Sequence, residues 1–321
     1  MKKLVGLIVS AGILALLYTF IDIRSIWAAA QQTRPAWLIA GLAFTGLLTL
    51  LTSWRFTIVV SGTHLGFLEA NRLILAASTL NMILPSKLGD LAKAHVLSRR
   101  HGMKASLSLA IVVLEKAVDM MSLLFWGIFG IIFVGATQPA MLWLLLPVSS
   151  AALAIAVLIA PWPVLPFVLR SLGGVLPTRF TLALEAFAAS WQEMLHWFWL
   201  GKIRASRVLL LSLVIWGAHL FQFWLFCQAV DAHVPLLANA AFATLSILVG
   251  LLPLTFAGVG TRDTAIVFFY APYLVPQQAA LLGVLATLRY VIPAIAGAPF
   301  IADFAGLTDR NMKAALVRED R

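Results

Sequence analysis

Charge is scarce in this chain. Asp, Glu, Lys and Arg make up only 11% of its 321 residues, while 62% are hydrophobic. A soluble domain is about half apolar and about a quarter charged, so the composition excludes an ordinary soluble fold. Cysteine is nearly missing. The lone Cys227 rules out an intramolecular disulfide and a cysteine-built metal site, and within an apolar run it reads as a packing residue. The six histidines (His64, His95, His101, His196, His219 and His233) are scattered, and none stands beside an acid at zinc-ligand spacing. There is no Walker loop, no Gly-x-Ser-x-Gly and no His-Glu-x-x-His, so no catalytic set, metal or cofactor is expected. Period-two alternation is also lacking, which disfavours a membrane β-barrel.

What is present is a series of continuous apolar runs. A membrane helix needs about 20 such residues, so the chain has room for about six to eight transmembrane helices plus two interrupted or re-entrant segments. The expectation is an all-α polytopic integral membrane protein. The net charge of +10 comes from cations lying between apolar runs, a positive-inside pattern rather than a nucleic-acid surface.

Lys2 and Lys3 lead the run Leu4 to Ile21, read as a retained first helix, and Asp22 to Pro35 follows as a short outer loop. The second pass runs from Ala36 to Val60, with Trp37 and Trp54 as interface anchors and Arg55 snorkelling from its inner end. The cluster Lys93, Arg99, Arg100, His101 and Lys104 belongs in the cytoplasm. Ala105 to Ala136 reads as one long helix, and Met141 to Ala160 as a further pass. Residues 161–206 form an amphipathic basic connector whose Trp191, Trp197 and Trp199 suit a helix lying in the interface. Val208 to Val230 and Ala279 to Phe300 complete the passes. Residues 1–308 are thus one membrane domain, with halves near 1–136 and 206–304, and 309–321 are a basic tail. Both termini are expected in the cytoplasm, and the protein in the cytoplasmic membrane.

Two stretches break this regularity. Asn81 to Lys93 ends an apolar run at Pro85, then adds Gly89 and the charges Lys87, Asp90 and Lys93. Leu251 to Asp263 does the same with Pro253, Gly258 and Gly260, followed by Arg262 and Asp263. Interrupted hydrophobic segments at corresponding places in two halves point to a transporter's binding site, here with opposite orientations and so as an inverted repeat. Two full, proline-kinked helices are the alternative.

Glu115 and Asp119 lie one helical turn apart, with Lys116 in reach of Asp119. At mid-bilayer each charge costs ~2.5–3.5 kcal/mol, so the three must face protein, water or headgroups. They also suit the inner boundary of a helix whose uncharged part is Met120 to Ala136. Lys87, Lys93 and Arg262, beside glycines, are candidates for a headgroup phosphate. Asp263 could equally cap its helix and neutralise Arg262. Arg289, next to Tyr290 in the last pass, calls for an acidic partner, for which Asp263 and Asp119 are available.

In order and spacing these motifs resemble the flippase-like, lysylphosphatidylglycerol synthase transmembrane family, also called UPF0104. The resemblance rests on Asn81, Leu84-Pro85, Gly89-Asp90 and Lys93, on Glu115-Lys116 and Asp119, and on Pro253, Gly258, Gly260 and Asp263. It covers about residues 4–305. Asp90 and Asp263 stand where glutamate is usual, and Lys93 and Lys116 where arginine is usual; lysine lacks the bidentate grip of arginine. Thr255-Phe256-Ala257 replaces a run richer in proline and glycine. The resemblance implies a stand-alone membrane domain without the synthase, flipping a phospholipid or a polyprenyl-linked glycolipid. The partners it implies are membrane lipids with an anionic or zwitterionic headgroup, and further a second copy or a lipid-synthesis enzyme. A membrane enzyme acting on a lipid carrier, and a non-transporting member of an envelope-assembly complex, remain as alternatives.

Overall fold

The computed structural model describes residues 23–61, 63–164, 167–168, 178–252, 255 and 258–301. Among them the secondary structure is helical, with no strand. The order is α1 (Ile23–Gln31), α2 (Pro35–Val59), α3 (Phe67–Ile83), a 3-10 turn (Pro85–Asp90), α4 (Leu91–Arg100) and α5 (Ala105–Gly135). A second 3-10 turn (Pro139–Leu144) leads into α6 (Leu145–Ile159). There follow α7 (Thr178–Leu200), α8 (Lys202–Ala229), α9 (Leu236–Gly250), α10 (Thr261–Phe269), α11 (Pro276–Gly297) and a closing 3-10 turn (Ala298–Phe300).

Among the described residues, five stretches are long and apolar enough to cross a membrane: α2, α5, Pro139–Ile159, α8 and Pro276–Phe300. Large apolar side chains stand exposed along them, among them Ile39, Leu50, Leu153 and Leu210. In water such a surface is a liability; against lipid tails it is the surface a spanning helix needs. The protein is an all-α, multi-pass membrane protein. The expected first helix Leu4 to Ile21 and the tail 309–321 lie outside the described residues.

Both interrupted segments are broken helices. At ~1.5 Å per residue, α3 is about 26 Å long and α9 about 23 Å, each short of a ~30 Å hydrocarbon core. After α3 the chain turns through Pro85–Asp90 into the polar α4, and after α9 it turns into the nine-residue α10. Arg34, just before α2, and Asp231, just after α8, form an ion pair of 2.6 Å, and Glu69 of α3 pairs with Arg100 of α4 at 3.3 Å.

The packing is reciprocal between the halves. α2 lies along α8; α5 packs on α9, and α11 packs on α3. Likewise α4 packs on α5 and α10 on α11, while α2 meets α3 and α8 meets α9. Exchanging α2–α5 for α8–α11 maps each of these contacts onto another. Close approach is achieved by small residues: Thr79 of α3 donates to the Ala294 carbonyl of α11 at 2.6 Å.

Two expectations are corrected. Residues Ile23–Gln31 form helix α1 rather than loop, because Ala29 and Ala30 find apolar neighbours in the core. In helix α7 of the connector, Trp191 is a core residue rather than an interface ring. Ala188, Trp191, Met194, Leu195 and Phe198 of this helix recur at helical spacing and are all buried, packing on α5 and α8. Trp191→Ala should therefore lower stability by about 3–5 kcal/mol in detergent unfolding, the cost of emptying a core aromatic site. A ring lying in headgroups would leave the transition almost unmoved.

Candidate functional site

Two polar stripes build the site. Thr45, Thr49, Thr52 and Arg55 recur every three or four residues along α2; Ser212, Trp216, His219 and Gln222 do so along α8. Such spacing puts each set on one helix face. The stripes meet because α2 and α8 pack together: the Gln222 amide donates to the Gly41 carbonyl and the Thr45 hydroxyl, both at 2.8 Å. Most of these residues line a cavity of about 230 Å³. Further walls come from Ser78 and Asn81 of α3, Asp90 and Lys93 of the first break, and Lys116 and Asp119 of α5. Val259 and Arg262 of the second break and Thr287, Arg289, Tyr290 and Pro293 of α11 complete it. Both halves therefore contribute.

Six charges interlock on one side. Arg55 donates to Glu115 at 3.0 Å, to the Ser212 hydroxyl at 2.9 Å and to both oxygens of Asp119. Lys93 reaches Glu115 at 2.7 Å and Asp90 at 3.0 Å, with Phe56 beneath its ammonium. Lys116 bridges Asp90 at 3.0 Å and Asp119 at 3.9 Å, and the Trp216 indole donates to Asp119 at 3.1 Å. Three cations thus meet three carboxylates, and each carboxylate has two cationic neighbours. Asp90 lies outside the spanning helices. Burial alone would raise its carboxyl, but the ammonium groups of Lys93 and Lys116 outweigh that and hold it well below the usual carboxylate range.

The second break carries its own pair. Gly258 and Gly260 both have positive φ, 75° and 95°, a conformation that side chains resist. The turn lets the Gly260 amide donate to Asp263 at 3.0 Å, so Asp263 caps α10. Arg262 donates to Asp263 at 2.7 Å, to Thr287 at 2.6 Å and to the Gly283 carbonyl at 3.2 Å. Gly89 in the first break serves close approach: a Cβ there would sit 2.4 Å from the Asn81 nitrogen of α3. The Asn81 amide oxygen is buried with no partner among the described residues.

The structure thus brings Asn81, Asp90, Lys93, Lys116, Asp119, Arg262 and Arg289 to one cavity, with Glu115 and Asp263 directly behind it. The side chains of Pro85 and Lys87, and all of Pro253, lie outside the described residues. Two expectations change. Arg55 does not snorkel; it is 1% exposed and holds two carboxylates. Neither Asp263 nor Asp119 serves Arg289, because Arg262 and Arg55 occupy them. Lys93 and Arg262, the phosphate candidates, each hold a carboxylate here. Arg55, Ser212, Trp216 and Gln222 were missed from the sequence. Their signal was there in the two stripes, which run polar through otherwise apolar helices.

Removing one partner of a buried pair strands the others. Arg55→Ala is expected to cost about 3–5 kcal/mol, since Glu115 and Asp119 lose their shared cation. Combined with Asp119→Ala it should cost clearly less than the sum of the two single changes. Strict additivity in unfolding measurements would show that these residues are not coupled.

Comparison with known proteins bears on the same segments. The sequence profile of the lysylphosphatidylglycerol synthase TM region matches residues 3–297. The UPF0104 membrane protein MJ1595 of Methanocaldococcus jannaschii is 23% identical over 320 aligned residues, covering 92% of this chain and 93% of that protein. The profile takes in both breaks, the charged α5 and all of α11, and the chain therefore belongs to the lysylphosphatidylglycerol synthase transmembrane-region family.

Proposed function

We propose that this protein is a lipid flippase of the cytoplasmic membrane, moving a phospholipid or polyprenyl-linked glycolipid between leaflets with both termini in the cytoplasm. The observation that carries the reading is the charged cavity shared by both halves. Charge at membrane depth is expensive, and a protein that keeps so much of it around an open space has a polar passenger to accommodate. The two broken helices border that space, and the reciprocal packing of the halves suits rocking of one against the other around a fixed site.

On this reading Lys93, Lys116 and Arg262 exchange partners. Asp90, Glu115 and Asp263 hold them while the site is empty, and a headgroup phosphate competes for them as it enters. Glu115 and Asp119 keep the cations charged and in place. Pro85, Gly89, Pro253, Gly258 and Gly260 set the two breaks. Membrane lipids are the required partners; a second copy or a lipid-synthesis enzyme would be an additional one. The same reading takes the chain as one membrane domain of two halves joined by the α7 connector.

Leaflet exchange in liposomes tests this. Purified protein with labelled phospholipids and polyprenyl phosphates should accelerate exchange of one lipid class. The Glu115→Gln, Asp119→Asn double variant, checked for folding by size exclusion and helicity, should lose at least about tenfold of that rate, as expected if transition-state charge contacts worth ~1.4 kcal/mol or more are removed. Folded wild-type protein that exchanges no lipid would overturn the reading.

A further inference from the structure

We propose that the cavity contains an anion subsite centred on Arg289, and that the headgroup it selects is a phosphate with net negative charge and no compensating amine. The proposal rests on the flippase reading for the lipid's passage but not for its binding.

Four Lys or Arg side chains are buried among the described residues: Arg55, Lys93, Arg262 and Arg289. The first three hold carboxylates. Arg289 holds none. It is 4% exposed and lines the cavity, and its Nε and Nη1 have no hydrogen-bond partner among the described residues. Its Nη2 donates to the Tyr290 hydroxyl at 2.6 Å, and the guanidinium carbon lies 4.7 Å from the ring centres of Phe223 and Tyr290. The rings hold the group by cation–π attraction but leave it charged and short of acceptors. Pro293, one turn on, lacks the N–H that would have bonded the Arg289 carbonyl, so the helix is loosened where this side chain departs.

Charge balance supplies the selectivity. Arg55, Lys93 and Lys116 balance Asp90, Glu115 and Asp119, and Arg262 balances Asp263. Among the described residues, Arg289 leaves the cavity one positive charge in excess. A phosphate diester supplies the missing negative charge and acceptor oxygens for the open donors. A cationic amine would find every carboxylate of the cavity already engaged and would add to the excess. The geometry thus favours an anionic phosphate lipid over a zwitterionic or aminoacylated one.

The test uses the full chain in detergent, with native mass spectrometry and thermal unfolding. The probes are phosphatidylglycerol, phosphatidylcholine, lysylphosphatidylglycerol and inorganic phosphate. Wild type should prefer phosphatidylglycerol over the other two lipids by at least about tenfold, in line with charge-assisted hydrogen bonds to an ion. Arg289→Gln should abolish that preference, and Arg289→Lys should keep part of it. Without lipid, Arg289→Gln should unfold at a higher temperature than wild type, because an uncompensated buried charge has gone. Tyr290→Phe, which leaves the cation in place, should keep the preference.

A cation held only for packing gives the reverse: Arg289→Gln unfolds earlier and lipid preference is unchanged, which overturns the proposal. Inorganic phosphate binding as tightly as phosphatidylglycerol would make the ligand free phosphate and overturn the lipid assignment. The two readings separate cleanly. Lipid exchange blind to charge and to Arg289→Gln removes the subsite and leaves the flippase. Selective binding without exchange removes the flippase and leaves the subsite.

Discussion

The cost of holding charge inside hydrocarbon organises this protein. Removing a carboxylate or an ammonium from water is unfavourable by several kcal/mol, and mutual attraction offsets this only where geometry and extra hydrogen bonds are good. Here Arg55, Lys93 and Lys116 can sit among Asp90, Glu115 and Asp119 only if α2, the first break, α4 and α5 come together in one arrangement. Ser212 and Trp216 then tie α8 to the same cluster. The apolar cores on either side need only fill space around a geometry the charges have fixed. Such a cluster contributes little net stability compared with a well-packed apolar equivalent. Its presence is better understood through what it does to the cavity beside it.

That cavity is asymmetric although the fold around it is nearly twofold. The packing of α5 on α9 and of α11 on α3 is a matched exchange, and each half has a helix, a break and a charged helix start. The chemistry differs. The first half brings a cluster of three acids and three bases, whereas the second brings one balanced pair and Arg289. A matched frame supplies two ways of packing the same elements, and unmatched charge gives a passenger a reason to enter one site. The proposed carrier, alternating between two faces, would need both.

The sequence made some of this plain and concealed the rest for physical reasons. Apolar run lengths located α2, α5, α6 and α11 to within four residues and the end of α8 to within one, because span length is set by bilayer thickness; α8 starts six residues earlier than expected, at Lys202. Pro85 with Gly89, and Gly258 with Gly260, marked both breaks, because only a few residue types tolerate such backbone. Ion-pair partners were not legible. Arg55 lies four residues from the end of its helix, where a long side chain usually reaches the headgroups; what turns it inward is Asp119, 64 positions later. Trp191 carried the same ambiguity, since a tryptophan suits an interface and a core equally, and only its neighbours on α5 and α8 decide. Arg289 was recognisable as costly, but that it would go without a carboxylate depended on Arg262 and Arg55 having taken both candidates.

The placement of the six interlocked charges also bears on how the chain is made. Residues 55 to 119 contain all of them, so the cluster can close before anything beyond α5 has been synthesised. Chains assemble largely in order of synthesis, the N-terminal part first. The six charges can thus enter the bilayer as an electrically neutral cluster, each carboxylate already between two cations, before Ser212 and Trp216 arrive to bond with it. The later half is different. When α11 arrives, Arg289 brings a charge for which the finished protein provides no counterion among the described residues, and Phe223 and Tyr290 are the surfaces on which it comes to rest. Order of birth therefore separates a self-contained scaffold from a late, unbalanced insertion.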